Sequence, residues 1–498
     1  MRAIRITIGL LLIAVTASAQ DLASFEKRTT VRKLANGLTL IVLERHAAPV
    51  FSYATVVNAG NAQEVPGITG LAHMFEHMAF KGTQIIGTTD YNAEKTALAN
   101  VETAYAAYDE ERRKPVGRDD AKVAQLEKAW KDAIDAADKY VVPNEFSKIV
   151  DRAGGTGINA FTASDKTAYF FSMPANRFEL WAYLESERFL HPVFREFYKE
   201  RDVVTEERRM RSESNPIGRL IEQFLETAYR AHPYRQPGVG WPSDLSAFSS
   251  TDAQAFFHKY YVPSNMVIAV VGDVNTAEVM PIMEKYFGRL PSAPDPDPLR
   301  IVEPPQRSER TVTLRETSQP FYLEGYHRPA ATDPDNATYD VISMLMSSGR
   351  TSRLYKSLVR DQKVAVNAAG FNGFPGEKYP NLFALYAVPS AGHTANDVAG
   401  PIHAEIDKLK NEDVPADELQ SVKTRVRAGL LRELDSNDGL ALQLASYQTL
   451  YGDWRELFRE VERIDKVTPQ DIRRVANSVF SANNRTVGSI ESVKAGAK

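Results

Sequence analysis

Gly70-Leu71-Ala72-His73-Met74-Phe75-Glu76-His77-Met78-Ala79-Phe80-Lys81-Gly82-Thr83 sets the terms on which the rest of the chain is read. It contains His-x-x-Glu-His, the inverse of the commoner His-Glu-x-x-His metal motif. On a helix, His73 and His77 lie one turn apart on the same face, so both imidazoles reach one ion. Glu76 stands beside that ion without having to bind it. Leu71, Met74, Phe75 and Met78 give the helix an apolar face that buries it in a core. Two histidines four apart also arise by chance, and a lone helical histidine is more often packed or solvated than a ligand. Here the chain has nine histidines in all. Two of them share one turn with a carboxylate between them, and that favours a metal site.

Two imidazoles do not complete a catalytic metal site, which takes three protein ligands and leaves a position open. The candidate for the third is Glu200-Arg201-Asp202-Val203-Val204-Thr205-Glu206-Glu207. Glu200 and Glu207 are two helical turns apart and share a face, as a ligand and a supporting carboxylate would. Acidic residues on a Lys/Arg-rich helix are equally ordinary as solvated groups, and spacing alone does not say which glutamate binds. The chain has no cysteine, so disulfides and thiolate ligands are excluded and any metal rests on histidine and carboxylate.

At 498 residues the chain exceeds one hydrophobic core, and two or more domains are expected. Charged residues make up 25% and the net charge is -4, which argues against nucleic-acid binding as the main task. Arg2 and Arg5, the apolar run Ile6 to Val15 and Ala17-Ser18-Ala19 read as a secretory signal over residues 1–19. The run is short of the ~20 residues that span a bilayer. Export, cleavage and a periplasmic location with no remaining membrane span are therefore expected.

Strand-type and helix-type stretches recur along the chain. Asn36-Gly37 predicts a hairpin turn before a strand at Leu38–Leu43, and Phe51–Val57 predicts another. Residues 92–140 are rich in Ala, Glu, Lys and Asp, with stripes at Leu98, Val101, Tyr105, Tyr108 and at Val123, Leu126, Trp130, Ile134. That pattern is a helical hairpin inserted in the first domain. Strands are expected near residues 158–162, at 167–174 and at 266–273. The Pro-rich stretch from Leu290 to Pro298 opens a linker over residues 291–306. The domains are thus expected at 25–290 and 307–498. The second repeats the first in weakened form: Tyr261-Val262-Pro263-Ser264-Asn265-Met266 is echoed by Phe480-Ser481-Ala482-Asn483-Asn484-Arg485. A helix from about Thr338 carries Met344, Leu345 and Met346 where the first half carries its histidines.

These motifs make the chain resemble a pitrilysin/insulinase-type metallopeptidase, the inverzincin family that includes mitochondrial processing peptidases. The resemblance rests on His73 to Thr83, Gly154-Gly155 with Asn159-Ala160-Phe161-Thr162, Glu200 with Glu207, His232-Pro233-Tyr234, Tyr261 to Met266, and Ser347 to Arg360. It implies an α+β fold of two related domains, each a mixed or antiparallel sheet covered by helices, and zinc on His73, His77 and Glu207, with cobalt or manganese also compatible with such ligands. It further implies Glu76 as general base, Glu200 as the supporting carboxylate, and Asn159 and Ala160 on an edge strand that receives an extended peptide. Arg360 matches a substrate-binding arginine of the family. Val366, or Asn367 beside it, stands where the family has a tyrosine, which points to a related subunit as its source. The reading is a zinc endopeptidase working as a homodimer or as a heterodimer. Its alternatives are a non-catalytic or weakly catalytic scaffold or processing subunit, and a metal hydrolase acting on other substrates.

Overall fold

The computed structural model describes residues 22–493, so the expected signal segment at 1–19 lies outside the described residues. Asn36-Gly37 does turn the chain, between β1 (Thr29–Lys33) and β2 (Thr39–Glu44), which pair antiparallel. Gly37 has φ +96°, and a Cβ there would lie 2.8 Å from that of Ser264, so the turn requires glycine. With β3 (Val50–Val57), β4 (Thr156–Thr162), β5 (Thr167–Pro174) and β6 (Met266–Gly272) these strands form a sheet of order β1-β2-β6-β3-β5-β4. All its pairs are antiparallel except β2 with β6. The central strands β2, β6 and β3 are buried on both faces and apolar apart from Ser52 and Thr55 of β3, as strands covered on two sides must be.

The second sheet comprises β7 (Arg310–Glu316), β8 (Phe321–Arg328), β9 (Ala365–Phe374), β10 (Asn381–Pro389) and β11 (Arg485–Ser492), in the order β7-β11-β8-β10-β9. Position for position this is β2-β6-β3-β5-β4 again, down to the single parallel pair, here β7 with β11. The echoed motifs form matching 3₁₀ turns, Pro263–Asn265 before β6 and Ala482–Asn484 before β11. The helix Leu71–Met78 packs on edge strand β4, and the helix Asn336–Ser347 packs on edge strand β9. In the second copy Leu345 and Met346 are simply core residues.

The halves are interlocked by an exchange of helices. The outer face of the first sheet (Ile41, Leu43, Ala54, Val56, Val267) is covered by Leu440, Ala441 and Leu444 of the helix Asn437–Tyr451. In return Leu220, Phe224 and Ala228 of the helix Pro216–Ala228 pack against Phe321, Leu323 and Ile490 of the second sheet. A buried leucine in such a face contributes about 1.5–3 kcal/mol. Asp165, in the β4–β5 turn, adds a polar latch. It accepts from the Tyr234 hydroxyl at 2.7 and 2.8 Å and from the backbone N–H groups of Glu377 and Lys378 at 2.7 and 3.0 Å.

The insertion is a helical hairpin, Tyr91–Arg112 and Asp120–Asp138, each helix capped by an aspartate, Asp90 and Asp119. Trp130 stacks on Tyr108 at 5.3 Å and meets Tyr105 and Tyr198 edge-on or tilted. Tyr198 belongs to the helix Phe197–Arg208, whose Phe197, Tyr198, Arg201, Val204 and Arg208 are buried. Arg201 donates to the Tyr105 hydroxyl at 2.9 Å and to Phe248 O at 3.0 Å. The hairpin therefore buttresses the buried face of that helix and leaves its Glu200 and Glu207 face to the histidines.

Candidate metal centre

The helix Leu71–Met78 begins at Gly70, which has φ +97°. A Cβ there would come within 2.9 Å of Val239 O and 3.1 Å of Gly240 Cα, so two backbones touch where only glycine fits. No side chain at the cap position serves the first turn. Instead the buried Glu64 accepts from the N–H groups of Gly70 at 2.8 Å and Ala72 at 2.7 Å. Asp244 accepts from Gly67 N, Thr69 N and the Thr69 hydroxyl at 3.0, 3.1 and 2.7 Å. Two carboxylates thus hold the entry to the helix in one geometry.

From that helix His73 and His77 present Nε2 atoms that each lie 3.6 Å from Oε2 of Glu207. The three ligand atoms fall within 4.8 Å of one another. Metal–ligand bonds of ~2.0–2.2 Å in a tetrahedron separate neighbouring ligand atoms by roughly 3.4 Å, so the triangle has the size of one face of such a site. The groups converge without hydrogen-bonding one another, and the buried Nδ1 of His73 has no partner among the described residues. A donor set of two imidazoles and a carboxylate of this size fits zinc. Glu207 spends its other oxygen, Oε1, on the largely exposed Arg211 at 2.5 Å.

A surrounding layer orients these groups. His77 Nδ1–H donates to Glu200 Oε2 at 3.2 Å, which turns Nε2 toward the ion position. Glu200 is in turn paired with Lys81, whose ammonium also reaches Glu196 at 3.2 Å. Burial, with help from neighbouring charge on His77 and Arg211, drives His73 down to about 3, so its ring is neutral. Burial opposes charge on His77 as well, but the bond to Glu200 and the nearby carboxylates outweigh it and hold its pKa above the ordinary histidine value. Glu200 is pulled below the usual carboxylate range because His77 and Lys81 overcome its burial.

Glu76 stands outside the cluster. Its Oε2 accepts from the Thr162 hydroxyl at 2.7 Å, and burial lifts its pKa above the ordinary glutamate value. Thr162 ends β4, the edge strand carrying Asn159 and Ala160. Asn159 is exposed, and its Oδ1 accepts the Ala160 N–H at 2.9 Å. Arg360 is not brought to the cluster: it is exposed near the end of a π-helical segment, Tyr355–Asp361, and pairs with Asp361. Val366 is exposed on β9, and Asn367 donates to the Tyr386 hydroxyl at 3.3 Å. Thr162 and Lys81 lie within the motif stretches, but their roles depend on Glu76 and Glu200, which are distant in the sequence, so no local signal marks them.

Fold and cluster together describe a duplicated α+β chain with a candidate metal site built on the inverted motif. The chain belongs to the peptidase M16 family: residues 40–110 and 134–240 match "Insulinase (Peptidase family M16)" and residues 247–426 match "Peptidase M16 inactive domain". The interruption at 111–133 falls inside the helical hairpin. The chain is similar to the zinc protease PqqE of Helicobacter pylori, 28% identical over 488 residues covering 96% of each protein. It is also similar to an uncharacterized zinc protease of Mycobacterium leprae, 23% identical over 91% of this chain and 89% of that one. A crystal structure of a protease from Helicobacter pylori superimposes with a TM-score of 0.77 at 26% identity, over 93% of this chain and 99% of that one. The first half of the periplasmic protease PqqL of Escherichia coli shares the fold at a TM-score of 0.67 and 16% identity, over 94% and 92% of the two chains. Among the described residues no helix is long and apolar enough to cross a membrane.

Proposed function

We propose that this chain is a zinc-dependent endopeptidase acting on extended peptides. The observation that carries the reading is the convergence of His73, His77 and Glu207 on one point, with Glu76 beside it and free of the cluster. A zinc ion held there supplies a Lewis acid for the scissile carbonyl and a water of lowered pKa. Glu76 takes the proton of the attacking water and returns it to the leaving amine, and its raised pKa suits both halves of that task. The substrate adds to β4 as a further strand. The Asn159 side chain, which occupies the Ala160 N–H, swings aside as it docks.

Purified protein should contain zinc and cleave an unfolded polypeptide. Glu76→Gln should keep the metal and lose cleavage, and Glu207→Gln should lose both. Metal without cleavage in the wild type sinks the peptidase reading in favour of another hydrolase, and the absence of both favours a scaffold.

The dimer belongs to the same proposal. Arg360, paired with Asp361, and the exposed Val366 lie on the second half, and among the described residues neither bonds to the metal cluster of its own chain. Substrate contacts from that half therefore come from a second copy or a related subunit facing the cluster. Specific activity should then rise with protein concentration, or on adding the related subunit, and constant activity counts against it. Export by residues 1–19 to the periplasm completes the proposal, and cell fractionation tests it.

A further inference from the structure

Between the two halves lies a cavity of about 710 Å³, lined by none of the metal-site residues. Sites for small molecules run to roughly 300–1,000 Å³, so it has room for one. Its walls come from the β4–β5 turn, the end of β9 with the turn that follows it to residue 378, and the helices Asn336–Ser347 and Asn437–Tyr451, with Glu433 and Glu460 reaching in from the helices Ala416–Glu433 and Glu456–Lys466. Phe161 of the edge strand β4 closes part of it.

The lining carries charges of both signs, and three of them, Lys166, Lys378 and Asp340, make no direct ion pair among the described residues, although Asp165 and Glu377 lie near the lysines and Arg328 and Glu460 near Asp340. Lys166 Nζ has one hydrogen bond, to Ser446 Oγ at 3.0 Å. Lys378 Nζ has one, to Asn58 Oδ1 at 2.6 Å. Neither ammonium makes an ion pair among the described residues. Among the described residues Asp340 accepts only from the side-chain amides of Asn372 at 3.0 Å and Asn336 at 3.2 Å. Buried charges whose direct hydrogen bonds all go to neutral groups are poorly compensated. Accordingly burial lowers the pKa of both lysines and raises that of Asp340. The other cationic side chain of the wall, Arg328, differs, since two backbone carbonyls and the side chains of Asn336 and Asn372 already engage it. Tyr447 stacks on Tyr451 with ring centroids 5.3 Å apart, and its hydroxyl has no hydrogen-bond partner among the described residues.

We propose that this cavity binds a small zwitterion, a free amino acid or a short peptide with both termini free, its carboxylate on Lys166 and Lys378 and its ammonium on Asp340. A simple anion leaves Asp340 facing like charge, and a simple cation does the same to the lysines. The assignment stands on the cavity's own lining and is independent of the peptidase reading.

The test is calorimetric titration of the full chain with glycylglycine, before and after metal removal by a chelator. One site per chain is expected, persisting after chelation. N-acetyl-glycylglycine and glycylglycine amide, each lacking one charge, should bind at least tenfold more weakly. Lys166→Met and Asp340→Asn should weaken glycylglycine at least tenfold, and if a melting curve shows Lys166→Met unfolded, Lys378→Met takes its place. No binding of glycylglycine at millimolar concentration overturns the proposal. So does binding that these variants leave unchanged, or that chelation abolishes. Cleavage is not measured, so failure here is distinct from failure of the peptidase reading.

Discussion

The Thr162 hydroxyl donates to Oε2 of Glu76 across 2.7 Å, tying the last residue of the edge strand to the carboxylate beside the metal cluster. A hydrogen bond to a charged group is worth about 1.5–3 kcal/mol, and this one fixes the direction in which Glu76 presents its second oxygen. Thr162→Val should therefore lower kcat about tenfold or more while zinc content and KM stay near wild type. Thr162→Ser should restore most of the loss. Equal kcat in Thr162→Val and wild type would remove Thr162 from the machinery.

Glu200 does not reach the ion position, yet it sets the ring of His77 and is itself held by Lys81. Outer partners of this kind are typically worth 10–100-fold in metal affinity. Glu200→Gln is expected to weaken zinc binding within that range in a chelator competition, and Lys81→Met by less. Affinity unchanged in Glu200→Gln would mean that packing alone orients the imidazole.

The helical hairpin acts on the site from behind. Removing the Trp130 ring leaves a hole between Tyr105, Tyr108 and Tyr198, and Trp→Ala in a packed cluster costs about 3–5 kcal/mol. Trp130→Ala should lower the melting temperature and also weaken zinc binding, because the helix carrying Glu207 loses its support. A destabilised variant with native zinc affinity would show that the hairpin stabilises the fold without positioning the ligand.

The histidine helix was legible because its signal is local: an apolar face, two imidazoles one turn apart and a carboxylate between them. The hairpin was legible from its stripes. Glu207 was harder, since its spacing matches Glu200 and only the resemblance distinguished them. The folded chain puts Glu207 Oε2 3.6 Å from both rings and Glu200 against Nδ1 of His77. The helix exchange left no trace in the pattern. Strands β2, β3 and β6 are apolar on both faces, which says that two layers cover them but not that one layer arrives from residues 437–451. Arg360 shows the opposite limit, for a motif match gives a residue type and not a neighbour, and its neighbour is Asp361.

Asp340 gives the chain a specific pH dependence. Burial raises its pKa above that of an unfolded aspartate, toward neutrality. The folded state thus holds this proton at pH values where the unfolded state has lost it. That contribution to stability is fully present below about pH 4 and is lost as pH rises toward 7. Asp340→Asn removes the titration. The melting temperature of the variant relative to wild type should climb between pH 5 and pH 8, ending about 1–3 °C higher. A difference that stays flat with pH would show that Asp340 titrates normally.

Because each half lends a helix to the other, neither is expected to stand alone. A fragment of residues 22–290 keeps the metal ligands but exposes Ile41, Leu43, Ala54, Val56 and Val267 on the outer face of its sheet. A contiguous apolar face of that kind drives association. Expressed alone the fragment should be aggregated or bind a hydrophobic dye, and co-expression with residues 291–498 should recover a soluble pair that holds zinc. Within the intact chain, Leu444→Asp places a charge between the helix and the sheet and should unfold both halves in one transition. If instead the fragment 22–290 were soluble, monomeric and able to bind zinc, the exchanged helix would be an accessory cover and the first half an independent domain.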